Sequence, residues 1–319
     1  MHRTPTLLLK ICKNYTIMEI RHLEDVVTAA KARGRKRLIV AYGQDSHTIE
    51  AVNNAIENEL VEATLVGSRE EIEKVCAAEG IDVNKFTIID EGNDVKAANI
   101  AVKMIAEGEG DVLMKGLLST DKYMRAILNK EYGLVPPKGI LTHVTVVDLP
   151  NYPRLLTISD VAIIPLPDFK QKQQQIKFLA QTANALGIKC PKIAIISASE
   201  QLLPGVISST EAALLAKMAD RGQMGNVEVD GPLSLDVAMY KHIAEHKKVK
   251  GSSIAGEVDC MLFPNIESGN VFFKMASNIG GGELAAMVVG SKVPCVLTSR
   301  GDSSKTKLYS IALACLSAK

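Results

Sequence analysis

The chain has no tryptophan, and aromatic residues make up only 4% of its 319 residues. A surface that stacks the bases of single-stranded nucleic acid needs aromatic side chains, so this composition argues against one. The formal net charge of +1 gives no reason to expect binding of bulk nucleic acid or of an anionic membrane. We therefore expect no nucleic-acid partner.

Long apolar runs are also missing, since no stretch approaches the roughly 20 residues of a membrane span. Near the N-terminus, Lys10 and Lys13 cut short the apolar run Leu7-Leu8-Leu9, too soon for a signal peptide. The sequence therefore predicts a cytoplasmic protein without a membrane partner. Met18 is a second candidate start, and residues 1–17 are expected to be an N-terminal extension outside the fold.

The six cysteines are scattered and form no Cys-x-x-Cys pair, which is typical of buried thiols in a reducing compartment. The segment His242–His246 matches an inverted zinc-protease pattern, with two histidines one helical turn apart. No third ligand is evident, and the segment continues into three lysines. Cationic side chains at a helix C-terminus are ordinary partners of the helix dipole. We predict no metal site.

Strand–helix alternation dominates the first half of the chain. Continuous apolar strands separated by helices are typical of a parallel sheet that is covered on both faces. The predicted strands span 37–42, 62–67, 86–90 and 111–115, and the helices that follow them end near 58, 79, 107 and 129.

Glycine and proline cluster between 131 and 139, where this alternation breaks. Three closely spaced strands follow, over 140–148, 154–159 and 161–165, and indicate an antiparallel or mixed region. Strands over 192–197, 226–229 and 258–263 then alternate with helices over 169–186, 208–220, 233–245 and 269–278. Gly280-Gly281-Gly282 marks a second crossover and is expected to be a hinge. The pattern therefore predicts two units in an α/β protein.

Polar or glycine-rich loops follow seven of the strands. In open α/β sheets, ligands bind beyond the carboxyl ends of the strands, so these loops predict a cleft. The loops are 43–46, 116–120, 165–168, 197–200, 230–232, 264–270 and 298–303.

The last of these loops is the most informative. Thr298 to Ser304 lies between the apolar run 293–297 and a helix predicted over 305–316. Backbone N–H groups at a strand-to-helix turn favour anions, and arginine grips a phosphate or carboxylate through two parallel hydrogen bonds. Ser299 and Arg300 therefore indicate chemistry on an anionic substrate.

Two further turns carry candidate binding residues. In the turn after the strand that ends at Lys115, two adjacent hydroxyls lie between a lysine and an arginine, although one hydroxyl is also explained as a helix N-cap. The residues there are Lys115, Gly116, Ser119, Thr120 and Arg125. The second turn contains Asp230, and with Asp236 it could line the cleft or simply form a capped helix entry.

Three segments, taken together, resemble the phosphate acetyl/butyryltransferase family. They are Phe263 to Asn270 followed by Lys274, Asp230-Gly231-Pro232 upstream, and Thr298-Ser299-Arg300-Gly301 downstream. Their order and spacing match the family, and the resemblance covers nearly the whole chain from Met18. The sequence 307–312 is closer to the butyryl branch.

The resemblance implies two α/β/α domains with an interdomain cleft, similar to isocitrate and isopropylmalate dehydrogenases. The domains would be 18–137 plus 286–319, and 138–285. The implied reaction is reversible transfer of a short acyl group between coenzyme A and inorganic phosphate in a ternary complex. Acyl-CoA and phosphate are the expected partners, and coenzyme A is a substrate with no permanently bound cofactor or metal. A homodimer or higher homo-oligomer is also implied.

The resemblance assigns Ser299 to hydrogen bonding with the CoA sulfur, and Arg300 to stabilising negative charge. In acetyl-specific members an aspartate seven positions after the serine is thought to act as base, but Thr306 occupies that position here. Asp302 is the nearest carboxylate and either joins the chemistry or caps the helix. The binding set is completed by Asp230, Asn270, Lys274 and Thr306.

Three alternatives to a butyryltransferase stay open on the sequence. A phosphate acetyltransferase would share the same motifs. A metal- and NAD-dependent dehydrogenase of the same fold would need a carboxylate cluster and would leave the Ser-Arg-Gly motif idle. A non-catalytic acyl-CoA-binding relative would fit the missing carboxylate at Thr306.

Overall fold

The structure of the protein is a computed structural model, which describes residues 20–298 and 301–319. Its helices are α1 (Leu23–Ala32), α2 (Ser46–Glu57), α3 (Arg69–Glu79), α4 (Asp94–Ala106), α5 (Thr120–Ile127), α6 (Phe169–Ala185), α7 (Ile207–Asp220), α8 (Leu235–Met239), α9 (Lys241–His246), α10 (Ile266–Asn278) and α11 (Ser304–Ser317). Its strands are β1 (Lys36–Ala41), β2 (Val61–Gly67), β3 (Phe86–Asp90), β4 (Val112–Lys115), β5 (Thr142–Asp148), β6 (Leu156–Ser159), β7 (Lys192–Ile196), β8 (Glu228–Leu233), β9 (Cys260–Leu262), β10 (Glu283–Val289) and β11 (Cys295–Val296).

All eleven of these strands join one mixed sheet, in the order β3-β2-β1-β4-β11-β10-β5-β6-β9-β7-β8. The pairs β11–β10, β10–β5 and β5–β6 are antiparallel, and the other neighbours are parallel. The α/β class is therefore confirmed as a large mixed sheet with helices. The predicted boundary between residues 285 and 286 falls inside β10.

Polar residues after the strands start the helices. A side-chain oxygen accepts a backbone N–H of the first turn, which satisfies one of the donors that a helix N-terminus leaves without a partner. Such caps are Asp45, Ser68, Asn93, Ser119, Asp168, Asn265 and Ser303. The loops that sequence patterning singled out thus fix where several helices begin.

Helix α11 carries the chain back to the first strands. Its apolar side chains from Ile311 to Leu316 are almost completely buried, and the helix packs against β10, α1 and α2. The burial of this helix joins the C-terminal segment to the core formed by β1, β2 and α2.

One predicted strand is absent, because residues 161–165 form a loop. The carboxylate of Asp160 accepts hydrogen bonds from the backbone N–H groups of Ala162, Ile163 and Ile164, at 2.8, 2.9 and 3.2 Å. These donors are therefore not available to a neighbouring strand. The prediction for 161–165 was wrong because the apolar composition hid this carboxylate-centred turn.

Two other boundaries also differ from the prediction. The turn expected at Asp230 to Pro232 lies inside β8, where a bulge opposite Ala194 and Ile196 accommodates it. The helix expected over 233–245 is divided into α8 and α9 by Tyr240, whose φ of −123° and ψ of 115° are extended.

Candidate active site

A pocket of about 140 Å³ lies where the carboxyl ends of β1, β4 and β11 meet. The parallel register places Ala41 beside Lys115, so the turns that follow β1 and β4 are neighbours. The start of α11 closes the pocket. Its lining consists of Asp45, Ser46, His47, Thr48, Lys115, Gly116, Leu117, Thr298 and Lys307.

Gly116 allows the two turns to come this close. A Cβ atom at this position would lie 2.3 Å from the carbonyl oxygen of Tyr42, well inside any real contact. The Gly116 N–H donates to Ala41 O, and the Leu117 N–H donates to Tyr42 O, both at 2.9 Å. The predicted binding residue Gly116 therefore lies in the pocket and also holds it together.

Lys115 is the second predicted residue in the pocket wall. Its side chain is 5% exposed, and its ammonium donates to the carbonyl oxygens of Gly116 and Leu118, both at 3.1 Å. These carbonyls compensate part of the cost of removing a charge from water. Ser119, by contrast, accepts the Lys122 N–H as the N-cap of α5, and Thr120 is exposed at the start of that helix.

Lys307 is a site residue that the sequence argument did not select. It is 3% exposed, and its ammonium donates to the backbone oxygen of Asp302 at 2.7 Å. Burial lowers the pKa of Lys307, while the carboxylates of Asp302 and Asp45 oppose that shift. The sequence did contain an indication that Lys307 is buried, because this lysine directly precedes the apolar residues of a predicted helix. Only the packing of α11 shows that this lysine faces the pocket.

The pair Ser299 and Arg300 lies outside the described residues, but both flanking positions are described. Thr298 precedes the pair and lines the pocket, and it is 4% exposed. Asp302 follows the pair, and its carbonyl binds Lys307. Ser303 caps α11 by accepting the Thr306 N–H at 3.1 Å. Thr306, a predicted binding residue, therefore belongs to this helix cap.

A buried polar cluster lies on β5 and the end of β6. Both oxygens of Asp160 are used: besides the three N–H groups of the following loop, the carboxylate accepts the Thr142 hydroxyl at 2.7 Å and the His143 N–H at 3.1 Å. Asp160 is 2% exposed. Polar atoms buried so deeply need hydrogen-bond partners, and five donors supply them here.

His143 connects this cluster to the segment after β11. Its Nδ1 lies 3.2 Å from the hydroxyl of Thr145, and the residue is 3% exposed. Burial lowers its pKa, and Asp160, a hydrogen bond with the Leu297 backbone and the carboxylate of Asp302 oppose that shift. The chain on either side of Ser299 and Arg300 therefore passes close to the start of β5.

Helix α10 positions the loop after Asp160. Asn270, a predicted binding residue, donates from its side-chain amide to the Val161 carbonyl at 3.0 Å. At Gly269 a Cβ would lie 2.2 Å from the Asp160 carbonyl oxygen, so only glycine permits this approach. The segment from Pro264 to Asn270 thus shapes the loop beside the buried cluster.

Three predicted residues lie apart from the pocket. Arg125 is paired with Asp121 at 2.9 Å, and 79% of its side chain is exposed, in a depression between α4 and α5. Lys274 is exposed, with its ammonium 5.1 Å from the Phe273 ring centroid. Asp230 accepts the Gly231 N–H at 2.8 Å on β8, the edge strand.

Asp236 belongs to a separate ionic cluster. Its carboxylate accepts the Ser234 hydroxyl at 2.6 Å and lies 2.9 Å from the Lys247 ammonium. The Ser234 hydrogen bond and Lys247 lower the pKa of Asp236 to about 2.

Within 20–298 and 301–319, no group of three or more potential ligands is placed to hold a metal ion. No helix in this part of the chain is long and apolar enough to cross a membrane.

Comparison with known proteins identifies the family to which the chain belongs. The model of the family described as phosphate acetyl/butaryl transferase matches residues 22–99 and 93–315. The chain belongs to this family. It is 41% identical to the phosphate butyryltransferase of Clostridium acetobutylicum, across 93% of this chain and 98% of the relative. It is 37% identical to the phosphate acetyltransferase of Thermotoga maritima, across 92% and 98%.

The fold agrees with that of solved family members. A branched-chain phosphotransacylase from Enterococcus faecalis superposes with a TM-score of 0.79 and 28% identity, covering 88% of this chain and 98% of the other. A phosphotransacetylase from Streptococcus pyogenes gives a TM-score of 0.74 at 19% identity, over 92% and 96%, which shows the shared fold.

Proposed function

We propose that the protein catalyses reversible transfer of a short acyl group, with butyryl preferred, between coenzyme A and inorganic phosphate. The observation that carries this proposal is the family match over residues 22–315. The 41% identity to a butyryltransferase spans nearly both chains. The pocket at the ends of β1, β4 and β11, which Thr298 lines, supports the proposal of an anion site there.

The reaction exchanges two nucleophiles at one acyl carbon. A phosphate oxygen attacks the thioester carbonyl, a tetrahedral oxyanion forms, and the C–S bond breaks with release of the CoA thiolate. The thiolate then takes up the proton that the attacking hydrogen phosphate gives up, and leaves as the thiol. In reverse, the thiol loses its proton, and sulfur attacks the acyl phosphate with loss of phosphate. Atoms and charge balance without a covalent acyl-enzyme.

Ser299 and Arg300 are proposed to act on the groups that become charged. The Ser299 hydroxyl would donate to the CoA sulfur as it becomes a thiolate, and the Arg300 guanidinium would stabilise phosphate or the oxyanion. Charge partners held in a water-poor cleft act more strongly than in water. Orientation of the two substrates would supply much of the remaining acceleration.

The preference for butyryl over acetyl is supported by two independent lines. The butyryltransferases of two Clostridium species are 41% and 39% identical to this chain, and the Thermotoga acetyltransferase is 37% identical. In addition, Thr306 stands where acetyl-specific members carry an aspartate and is used in the cap of α11.

The finer architecture is part of the same proposal. Two α/β/α domains with a cleft, similar to isocitrate and isopropylmalate dehydrogenases, would comprise 18–137 plus 286–319 and 138–285. Support comes from the antiparallel pairing of β10 and β5 with each other and with their outer neighbours, which separates two parallel groups of strands. We also propose a cytoplasmic homodimer or higher homo-oligomer.

The binding role of Arg125, Lys274 and Asp230 is proposed for a closed, substrate-bound cleft.

The deciding experiment follows free thiol after mixing the protein with acyl-CoA and phosphate. Acyl chains of two to eight carbons should give a maximum at butyryl, and product release should require phosphate. Absence of phosphate-dependent CoA release from every chain length would refute the proposal. A hydroxy-acid panel with NAD would reveal the dehydrogenase alternative, and tight binding without turnover would reveal a non-catalytic relative.

A further inference from the structure

We propose that the pocket between β1, β4 and α11 binds the phosphoryl group of inorganic phosphate, with Lys307 and Lys115 as its cationic side chains. The inference rests on the proposed acyl transfer and names the residues that recognise one substrate. It adds Lys307, which neither the family motif nor the sequence pattern selected, to the binding residues.

The pocket offers cationic hydrogen-bond donors to an anion. The ammonium groups of Lys115 and Lys307 line it with the carboxylate of Asp45, and the carboxylate of Asp302 also acts on Lys307. Both lysines are almost completely buried, at 5% and 3% exposure. Charged side chains are rarely buried to this extent without a partner or a function. Each ammonium is already fixed by backbone carbonyls, so its position does not depend on the ligand.

The backbone adds further hydrogen-bond donors to the pocket. Helix α2 is 12 residues long, and its first turn contains Ser46 and His47, which both line the pocket. N–H groups in the first turn of a helix have no acceptor within it and lie at the positive end of the dipole. Asp45 occupies only one of these donors, the Thr48 N–H, at 3.0 Å.

The size of the pocket selects a small ligand. Its volume of about 140 Å³ lies well below the roughly 300–1,000 Å³ of sites that enclose drug-sized molecules. A single phosphate group fits this space, whereas the adenosine and pantetheine parts of coenzyme A do not. The pocket also lies next to the proposed reaction centre in sequence, because Thr298, which lines the pocket, immediately precedes Ser299.

Asp45 offers a variant that should bind phosphate more tightly, as a counterpart to the lysine variants that should bind it more weakly. One of its carboxylate oxygens caps α2, while the other is buried without a hydrogen-bond partner among the described residues. A second negative charge beside a bound phosphate weakens binding. Asparagine is as good an N-cap as aspartate, so Asp45→Asn removes the charge and keeps the helix start.

The test measures steady-state rates while phosphate and butyryl-CoA are varied separately. Loss of a charge-assisted hydrogen bond in Lys307→Met should raise the KM for phosphate about ten- to a hundredfold. The KM for butyryl-CoA should change less than about threefold, and Asp45→Asn should lower the KM for phosphate. Lys305→Met is the matched control, because Lys305 lies on the same helix but is 54% exposed and paired with Glu24 and Glu283.

The same design distinguishes free phosphate from the 3′-phosphate of coenzyme A. If Lys307→Met raised the KM for butyryl-CoA but not for butyryl-dephospho-CoA, the pocket would bind the CoA phosphate, and the proposal would be overturned. An unchanged KM for phosphate in both pocket variants would overturn it as well. Thermal unfolding of each variant shows whether it is folded.

Calorimetric titration with inorganic phosphate alone separates this inference from the proposed function. If the wild type bound phosphate, Lys307→Met bound it more weakly and Asp45→Asn more tightly, the pocket assignment would stand even without acyl transfer. If the wild type transferred acyl groups and neither variant altered phosphate binding, the pocket assignment would fail and the proposed function would stand.

Discussion

Lys115 and Lys307 show how far single residues can be interpreted before the fold is known. Lys115 ends a buried strand, so its place at the carboxyl edge of a parallel sheet follows from the chain pattern. Lys307 lies in the first turns of a helix, where lysine is usually solvent-exposed. Its burial arises from long-range packing of α11 against α2 and β10, and no local pattern encodes that packing.

The central chemical prediction concerns Arg300. Replacing it with alanine should lower kcat for butyryl-CoA and phosphate by about 10²–10³, the usual effect of losing one donor to a developing negative charge. Assays of thiol release at saturating concentrations of both substrates measure this change in kcat. Arg69→Ala is a suitable control, because Arg69 is a half-exposed residue on α3. An unchanged kcat in Arg300→Ala would contradict this role.

Gly116 tests whether the pocket requires close contact between two turns. Gly116→Ala should destabilise the protein by about 1–3 kcal/mol, because a Cβ would lie 2.3 Å from the Tyr42 carbonyl oxygen and force the turns apart. Activity should also fall, since the same turn holds Lys115. Denaturant unfolding measures the loss, and Gly92→Ala is the control because nothing lies within 4 Å of its added Cβ. Equal stability of the two variants would contradict this account.

At the scale of elements, local patterns predicted the bounds of some helices and strands well. The bounds of α3 and β3 match the prediction, since Ser68 caps α3 and a left-handed Gly80 ends it. The strand β10 was missed because Gly280 to Gly282 suggested a crossover, whereas these glycines form the turn before it. Strand pairing is a long-range property, and the glycine run gave no information about it.

The sites on these elements were predictable to a similar degree. Loops after parallel strands drew attention to Gly116 and Lys115, which the structure brings together with Thr298 in one pocket. The cluster at Asp160 could not be predicted, because its donors are three backbone groups of an apolar segment. In the folded chain a carboxylate, and not strand pairing, orders that segment.

His143 on β5 should make stability depend on pH. Burial lowers its folded pKa below the ordinary value of 6.5, so below that value the unfolded chain binds a proton that the folded chain does not. Stability should therefore fall as pH decreases from about 6.5 toward 5, with a slope of at most about 1.4 kcal/mol per pH unit. Denaturant unfolding across this window measures the slope.

The comparison variant is His143→Gln, which should be less stable at every pH but should lose most of this slope. Carboxyl groups with lowered pKa values, such as Asp236 and Glu257 at about 2, contribute above their ordinary range and lose that contribution only below about pH 4. They therefore do not interfere with the measurement. An identical slope in wild type and variant would show that another group is responsible.

At the scale of the whole molecule, the sheet connects the two proposed domains through β5 and β10. Seven residue pairs join these antiparallel strands, from Glu283 with Asp148 to Val289 with Thr142. The sheet of the first proposed domain is therefore continuous with that of the second through β10 and β5. The proposed boundary inside β10 divides a strand that hydrogen-bonds on both sides, so a division by sequence position is less meaningful than the continuous sheet.

This continuity predicts cooperative unfolding of the described chain. Gly116→Ala lies in the half built on β1 and β4, and Asn265→Ala removes the cap of α10 in the other half, where Asn265 accepts the Ser268 N–H. The second change should cost about 1 kcal/mol. Because β5 and β10 belong to both halves, differential scanning calorimetry should show one transition that each variant shifts as a whole. Two separate transitions, each moved by only one variant, would show that the halves unfold independently and that the shared strands do not couple them.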